Sequence, residues 1–332
     1  MKTESAQKSI VGVGSALVDI LVHLENDDLL DLFGLPKGSM TLVDAGLSQK
    51  ILESTAGLSR TIETGGSAAN TIRGIAQLGG KTGFIGKIGH DEPGRFFSSE
   101  FRDWKIYPHL FFSATPTGKA ATLISPDSER TFGTYLGAAS ELSAADLSAD
   151  LFENYDYLHV EGYLVFNHEL IERILQLAKE QGLRVSLDLA SFNVVEANHE
   201  FLRKLINRYV DIVFANEEEA RSYTGLEPEA ALTGIAAECE IAVVKIGKEG
   251  SLVRSGNRFV KVETPRVSSV DTTGAGDVYA SGFLYGLAHD FTLEQCGQLG
   301  SLLASRVIQV PGAKIPDTDW PLISAEIQAI RG

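Results

Sequence analysis

The 332-residue chain contains only two cysteines, Cys239 and Cys296, and neither lies in a C-x-x-C or Cys/His pattern. Two such cysteines cannot form the disulfide framework of a small secreted domain or a structural zinc site. The N-terminal MKTESAQKSI lacks the apolar segment of a signal peptide. No run of the sequence approaches the ~20 apolar residues that cross a bilayer. We therefore expect a cytoplasmic protein that binds no membrane.

Positive charge is scarce as well. The chain has 29 Lys and Arg against 44 Asp and Glu, which gives a formal net charge of −15. Such a surface repels polyanions, so we expect no nucleic-acid polymer as a partner. A phosphate group would have to be held by local backbone amides or by a metal ion. Apolar residues make up 44% of the chain, which is ordinary for a folded globular protein.

The second half of the chain has the pattern of a parallel sheet. From about residue 156, the short apolar runs YLHVEG, LRVSLDLA, DIVFAN and IAVVKIG alternate with segments of helical period. Helices between consecutive parallel strands cover both faces of the sheet. Ligands bind beyond the carboxyl ends of such strands. Four polar residues fall at these ends: Glu161, Asp188, Asn216 and Lys245.

The first half of the chain predicts a smaller β unit. Residues 115–137 alternate apolar and polar side chains around a Pro-Asp-Ser turn, which is typical of a hairpin. We predict that this hairpin forms a small β lid on an α/β body, within one unit spanning 1–332. The predicted ranges are 8–20, 50–114 and 138–332 for the body, and 21–49 and 115–137 for the lid.

The most informative motif is VDTTGAGDVYASGFLYGLA at residues 270–288. Gly274, Ala275 and Gly276 precede a predicted helix, whose first N–H groups have no acceptor within the helix and form an anion hole. Asp277 lies at the same helix start. A carboxylate there repels phosphate, but it can take a proton from an attacking hydroxyl group. The alternative is that Asp277 only stabilises the helix dipole.

A second motif lies in ETGGSAANTIRGIAQLGGKTGFIGKIGHDEPG at residues 63–94. Its GG-x-x-x-N and G-K-I-G-x-D-x-x-G elements, followed about 180 residues later by D-T-T-G-A-G-D, resemble the ribokinase-like (pfkB) family of sugar and nucleoside kinases. The resemblance covers nearly the whole chain. It implies a three-layer α/β sandwich with a mainly parallel central sheet and a small β-sheet lid.

The resemblance also implies a site for the acceptor substrate. An aspartate at the end of the family's first strand holds substrate hydroxyl groups, and Asp19 in SALVD matches it. Gly65, Gly66 and Asn70 match a second substrate-holding element, and Glu161 matches a sugar-contacting glutamate. The alternatives are an ordinary turn at the two glycines and surface charges at Asp19 and Glu161.

The nucleotide side of the implied site has six matching residues: Asp188, Asn216, Glu219, Lys245, Gly247 and Gly250. Asn216 and Glu219 match an N-x-x-E element that organises Mg²⁺, water and phosphate. Lys245 stands where the family's V-T-x-G-x-x-G loop usually has threonine, so an ammonium group replaces a hydroxyl contact. The resemblance therefore implies ATP and Mg²⁺ as cofactors.

A monovalent-cation site like that of ribokinase is the third implied site. Its matching residues are Asp271 and Thr273 and the backbone carbonyls near Val307, Val310 and Gly312. K⁺ there would brace the loop and reduce the repulsion around Asp277. Pro316 lacks the hydroxyl group that some members use, so the requirement for K⁺ stays open.

The acceptor is the least determined part of the prediction. TLISPDSERTFGTYLGAAS and GSALVDIL resemble the adenosine-kinase-like branch, and Phe132 or Tyr135 can form an apolar wall for a base or simply pack the lid. We therefore predict transfer of the ATP γ-phosphoryl group to a hydroxymethyl group of a nucleoside or sugar. A ribokinase- or fructokinase-type sugar kinase is the alternative. The protein is expected to be a monomer or a homodimer through the lid.

Two other classes of protein remain as rivals. GVGSAL at residues 12–17 mimics a truncated dinucleotide fingerprint of a Rossmann dehydrogenase, but it lacks the third glycine. A non-catalytic ligand-binding protein on the kinase fold is the other rival, and the intact Asp277 and its glycines argue against it. A sugar phosphate as acceptor would need a basic pocket, and only Arg73 and Lys87 lie near the Gly65 motif.

Overall fold

Two β-sheets organise the computed structural model, which describes residues 7–127 and 129–331. The strands are β1 (Ser9–Val13), β2 (Leu17–His23), β3 (Met40–Leu42), β4 (Arg60–Gly65), β5 (Lys81–Gly89), β6 (Tyr107–Ser113), β7 (Thr117–Ile124), β8 (Arg130–Gly137), β9 (Tyr157–Glu161), β10 (Arg184–Asp188), β11 (Ile212–Asn216), β12 (Ile241–Lys245), β13 (Ser251–Ser255) and β14 (Arg258–Val262). The helices are α1 (Asp28–Phe33), α2 (Ala45–Ser54), α3 (Ser67–Gln77), α4 (Glu92–Asp103), α5 (His168–Glu180), α6 (Phe192–Tyr209), α7 (Glu217–Thr224), α8 (Pro228–Ile235), α9 (Ala275–Ala288), α10 (Leu293–Val307) and α11 (Trp320–Arg331).

The large sheet has nine strands in the order β14-β13-β12-β11-β10-β9-β1-β5-β6. The strands from β12 to β6 are parallel, and β13 and β14 add an antiparallel edge. Strands such as β1 and β9 are buried along their whole length, because helices cover both faces of a parallel sheet. The predicted three-layer α/β sandwich is confirmed.

Two hydrophobic cores flank this sheet. Val11 and Val13 of β1 point into a first core, which α5 to α8 complete. Ile10, from the same strand, points into a second core with side chains of α3, α4 and α9. Successive side chains of a strand alternate between its two faces, so one strand contributes to both cores.

The small sheet has the order β3-β8-β7-β2-β4. The antiparallel β7–β8 pair is the predicted hairpin. The sheet also includes β2 and β4, which extend beyond the predicted lid ranges 21–49 and 115–137. Its back face, with Val18, Ile20 and Val22, lies in the second core. Asp19 is therefore inside β2 in the small sheet, and the prediction that it ends the first strand is wrong.

The opposite side of the small sheet is its front face, which carries Asp19. Residues paired in register project from the same side of a sheet. By this register Glu63, Arg130, Phe132, Met40 and Leu42 share the front face with Asp19. Tyr135 pairs with Lys119 and belongs to the back face. Of the two aromatic residues predicted to line a base pocket, only Phe132 is on the front.

Among the described residues, no helix is both long enough and apolar enough to pass through a bilayer.

Candidate active site

A cavity of about 590 Å³ opens at the carboxyl ends of β10, β11 and β12. Asp188, Asn216 and Lys245 are the last residues of these three strands, and all three line the cavity with Gly276 and Asp277. Ser67, 210 positions before Asp277, also lines this cavity, so the topology brings together residues that are far apart in the sequence. A second cavity of about 940 Å³ adjoins it and shares Gly247 and Ala275.

The N-terminus of α9 forms one wall of the first cavity. Gly274 caps this helix in a left-handed conformation with φ 71°, and a Cβ there would lie 2.4 Å from the Cβ of Ala313. The N–H of Ala275 already donates to Thr272 O at 3.2 Å. The next N–H groups, of Gly276 and Asp277, have no acceptor within the helix. They form the positively polarised end at which an anion is stabilised.

Asp277 is held in place by two residues of α3. Its Oδ1 accepts a hydrogen bond from Ser67 Oγ at 2.8 Å, and its Oδ2 accepts one from Asn70 Nδ2 at 3.0 Å. Burial raises the pKa of Asp277 to about 6; Asp188 also raises it, whereas the two hydrogen bonds and Lys245 lower it. Such a carboxyl group ionises just below neutral pH and is suited to accept a proton there. Sequence reasoning found Asn70 but missed Ser67, which follows the two glycines.

The acceptor side of the site contains two neighbouring carboxylates. Asp19 of β2 and Glu63 of β4 are partners in register. Burial raises the pKa of Asp19 to about 7 and also raises the pKa of Glu63. A Cβ on Gly65 would lie 2.0 Å from Asp19 Oδ1, so only glycine leaves room for this carboxylate. Sequence reasoning missed Glu63.

Glu161 makes its hydrogen bonds within the protein. It is buried, and its Oε1 accepts from the N–H and the hydroxyl group of Ser15 at 2.8 and 2.6 Å. Its Oε2 accepts from the N–H of Ala68 at 3.3 Å. These contacts tie the turn after β1 to the start of α3. Glu161 therefore holds these two segments in place and, like the other predicted substrate residues, does not line the first cavity.

The nucleotide side has an ammonium group at its centre. Lys245 Nζ lies 3.0 Å from Asp188 Oδ2, and a Cβ on Gly276 would lie 2.9 Å from the same Nζ. Gly247 and Gly250 form the turn after β12 with φ 54° and 98°. Lys245, which stands where threonine is usual in the family, thus lies against the N-terminus of α9, beside the predicted anion hole.

Asn216 and Glu219 form a reciprocal cap at the start of α7. Asn216 Oδ1 accepts from the N–H of Glu219, and Glu219 Oε2 accepts from the N–H of Asn216, both at 2.8 Å. Burial raises the pKa of Glu219 to about 7, and Asp188 raises it further. In residues 7–127 and 129–331, no three or more His, Cys, Asp or Glu side chains cluster to ligate a metal. Glu219 Oε1 also accepts from Asn216 Nδ2 at 2.7 Å, so these oxygens fit Mg²⁺ through water, with the ion itself held mainly by phosphate and water.

The surroundings of Asp271 do not fit the predicted K⁺ site. Its Oδ1 accepts from the N–H of Thr273 at 3.0 Å, and its Oδ2 accepts from the N–H of Gly312 at 2.7 Å. Arg130 places a guanidinium nitrogen 2.7 Å from the same Oδ2. Val307 O accepts from the N–H of Val310 at 3.2 Å. N–H donors and a cationic side chain occupy the carboxylate that K⁺ would need.

A parallel α/β sandwich, a small sheet facing its strand ends, and a carboxylate at a glycine-capped helix start together define a class of small-molecule kinases. The chain belongs to the pfkB family of carbohydrate kinases, whose family model matches residues 41–320. This confirms the predicted enzyme class, a carbohydrate or nucleoside kinase, and excludes the dehydrogenase alternative.

Some relatives of the chain are named as sugar kinases and others as adenosine kinases. The chain is 29% identical to a 5-dehydro-2-deoxygluconokinase of Listeria monocytogenes over 283 residues, which are 80% of this chain and 86% of that protein. It is similar to the solved adenosine kinase of Sinorhizobium meliloti, with a TM-score of 0.87, 32% identity, and coverage of 98% of this chain and 100% of that one. A probable sugar kinase of Rhizobium etli CFN 42 gives a TM-score of 0.85 at 34% identity, with coverage of 98% and 99%.

Proposed function

We propose that this kinase transfers the γ-phosphoryl group of ATP to a hydroxymethyl group of a nucleoside, with Asp277 as the general base. The observation that carries the proposal is the position of the Asp277 carboxylate. It is fixed by Ser67 and Asn70 of the acceptor side and lies at the N-terminus of α9, next to Lys245 of the nucleotide side.

The chemistry follows from this position. The acceptor oxygen attacks the γ-phosphorus while its proton passes to Asp277. A new P–O bond forms as the bond to the β-phosphate oxygen breaks, so that ADP leaves. The N–H groups of Gly276 and Asp277 stabilise negative charge on the transferring group. Mg²⁺, when bound near Asn216 and Glu219, supplies further neutralisation of the phosphates.

The charges on the acceptor side favour a neutral acceptor. Asp19 and Glu63 are two carboxylates that would repel a sugar acid or a sugar phosphate. The buried guanidinium of Arg73 donates to the carbonyl groups of Thr64 and Ala313, and Arg130 is paired with Asp271. Lys314 also lies near Glu63 and lowers the pKa of its carboxyl group, but one ammonium group does not offset the two carboxylates toward an anionic substrate. Ribose hydroxyl groups are suited to carboxylate acceptors.

Apolar side chains on the front face favour a base over a free sugar. Met40 and Leu42 are 47% and 60% exposed, and Met40 is in register with Phe132. Exposed apolar groups on the face that carries Asp19 can form a wall for a ligand. The similarity to the adenosine kinase of Sinorhizobium meliloti supports the same choice. A ribokinase- or fructokinase-type activity is the second candidate, supported by the relative from Rhizobium etli that is named a sugar kinase.

An acceptor panel tests this proposal. Adenosine, other nucleosides, ribose, fructose and a sugar acid are compared at equal ATP and Mg²⁺, with Asp277→Asn protein from the same purification as the control for contaminating kinases. We expect the highest kcat/KM for a nucleoside. Fructose or ribose used at least about tenfold more efficiently than any nucleoside would replace it with the sugar-kinase candidate.

The assembly also remains a proposal. We infer a monomer or a homodimer formed through the small sheet, because β3 and β4 are its two edge strands and edge strands can pair across a two-fold axis. Light scattering of the purified protein distinguishes the two states.

A further inference from the structure

Arg130 of the small sheet forms a buried ion pair with Asp271 in the loop that precedes α9. Arg130 is the first residue of β8, and its Nη2 lies 2.7 Å from Asp271 Oδ2. The two side chains are only 9% and 3% exposed. Arg130 Nη1 also lies 3.5 Å from Thr273 Oγ1. The pair therefore joins the small sheet to the loop that carries the anion hole.

The Asp271 carboxylate connects three segments of the chain. It accepts from the N–H of Thr273 within its own loop and from the N–H of Gly312 beyond α10. Backbone bonds reinforce the second link, because the N–H groups of Val270 and Asp271 both donate to Ile308 O, at 2.7 and 3.1 Å. A cation at this carboxylate thus sets the position of the backbone that leads into Gly274.

We propose that Arg130 is a positioning residue that performs at Asp271 the bracing function of a monovalent cation, so that the enzyme needs no K⁺. The inference rests on the proposed function in one respect, namely that the braced loop carries the anion hole. A guanidinium group stays charged at all working pH values and is tethered to the chain. It needs no ion from solution. Its position at Asp271 depends on the small sheet, which carries it.

The backbone around Asp271 agrees with this assignment. Thr273 and Gly312 turn N–H groups, which repel a metal cation, toward the carboxylate. Pro316 offers no hydroxyl ligand. Both departures weaken a K⁺ site, and neither affects a guanidinium group that donates to the carboxylate.

The test compares cation dependence in three variants of the full-length protein. Arg130→Gln keeps a hydrogen-bond donor but removes the charge, and Arg130→Lys keeps a charge. Lys37→Gln is the matched control, since Lys37 is also in the lid region but pairs with Asp27 and Asp127 at the surface. Melting temperature and kcat are measured in K⁺, Na⁺ and choline chloride at equal ionic strength. ADP is quantified directly, because a coupling enzyme could have its own cation requirement.

We expect wild type, Arg130→Lys and Lys37→Gln to be indifferent to the choice of salt. Arg130→Gln should lose at least about tenfold in kcat in choline and recover several-fold in K⁺. Its melting temperature should rise in K⁺ over choline, because the ion then pairs with the buried Asp271.

Two results would overturn the proposal. One is activation or thermal stabilisation of the wild type by K⁺ over choline. The other is an Arg130→Gln variant that is impaired equally in all three salts, which is the behaviour of a merely structural residue. The melting temperatures need no substrate, so they remain informative if the acceptor panel contradicts the proposed function.

Discussion

Asp277 holds a negative charge in a cleft where burial raises the pKa of its carboxyl group from 3.8 to about 6. Between about pH 4 and pH 6, this carboxyl group is therefore protonated to a larger extent in the folded state than in the unfolded state. The free energy of unfolding therefore falls as pH rises from about 4 through about 6. At neutral pH the ionised carboxylate therefore lowers stability at the position where the proposed reaction needs a base.

Replacing this carboxylate tests both effects. We expect Asp277→Asn to lower kcat at least about a hundredfold, because loss of a general base typically costs about 10² to 10⁴ in rate. The affinity for ATP should stay normal or increase slightly, because the N–H groups of α9 remain and a repelling charge is gone. The variant should also melt a few degrees above wild type at pH 8, but not at pH 4. Kinetics, titrations and melting curves measure these three quantities.

The matched control is Asp211→Asn. Asp211 accepts from Lys179 and from the N–H of Val185 outside the cleft, so its replacement should lower the melting temperature and leave kcat unchanged. If Asp277→Asn behaves like this control, Asp277 is a structural cap. A kcat within about threefold of wild type would exclude it as the base.

Lys245→Thr introduces the threonine that is usual at this position in the family's nucleotide loop. Because Lys245 lowers the pKa of Asp277, we expect its removal to move the acid limb of the kcat/KM profile from near pH 6 to higher pH. The KM for ATP should rise at least about tenfold, and the KM for the acceptor should change little. Lys179→Thr, distant from the cavity, is the control. If the acid limb does not move and the KM for ATP is unchanged, Lys245 neither binds the ATP phosphates nor influences the pKa of Asp277.

Asp277, the proposed base, and the glycines before it could be predicted as one motif because they are contiguous in the sequence. Sequence patterns could not predict the roles of Ser67, Glu63 and Arg130, because each role depends on a partner that is distant in the sequence. Ser67 contacts a residue 210 positions away, and the motif around Arg130 contains nothing that indicates Asp271. A serine after two glycines is a weak signal that only the packing of α3 on α9 turns into a contact.

At the scale of elements, the turn from β4 into α3 depends on Gly66. Its φ is 104°, and a Cβ there would lie 2.1 Å from the carbonyl oxygen of Ser15. Gly66→Ala should therefore add a steric clash to backbone strain and lower the melting temperature and acceptor affinity together. Gly79→Ala is the control, since Gly79 has φ 85° and nothing lies within 4 Å of its Cβ position. Calorimetry that gives equal losses for both variants would mean that the contact with Ser15 is unimportant.

The parallel strands were predictable as elements, because their apolar runs are uniform and separated by helical periods. β2 was not recognised as a separate strand, because only Gly14, Ser15 and Ala16 separate it from β1. The chain changes sheets within these three residues. Glu161 and Ser15 hold that change in place, and no local pattern reveals a contact 146 positions apart.

At the scale of the whole molecule, the small sheet is joined to the loop before α9 by the Arg130–Asp271 ion pair, and we propose that it excludes water during phosphoryl transfer. We expect hydrogen exchange in β7 and β8 to slow when the acceptor is added. The β13–β14 pair at the far edge of the large sheet is the internal reference and should not change. Unchanged protection of β7 and β8 at saturating acceptor would contradict a closing lid.

The back face of the small sheet shares its hydrophobic core with the body, since Val18, Ile20 and Val22 belong to one cluster with Phe84 and Phe97. A protein engineer who grafts only the β7–β8 hairpin from a relative would exchange the front face, but would also insert foreign side chains into this shared interior. The segment proposed to determine acceptor preference therefore cannot be exchanged as an independent unit. Transplanting it requires the hairpin together with the packing partners behind it, and chimeras cut at the sheet boundary should be recovered mainly as insoluble protein.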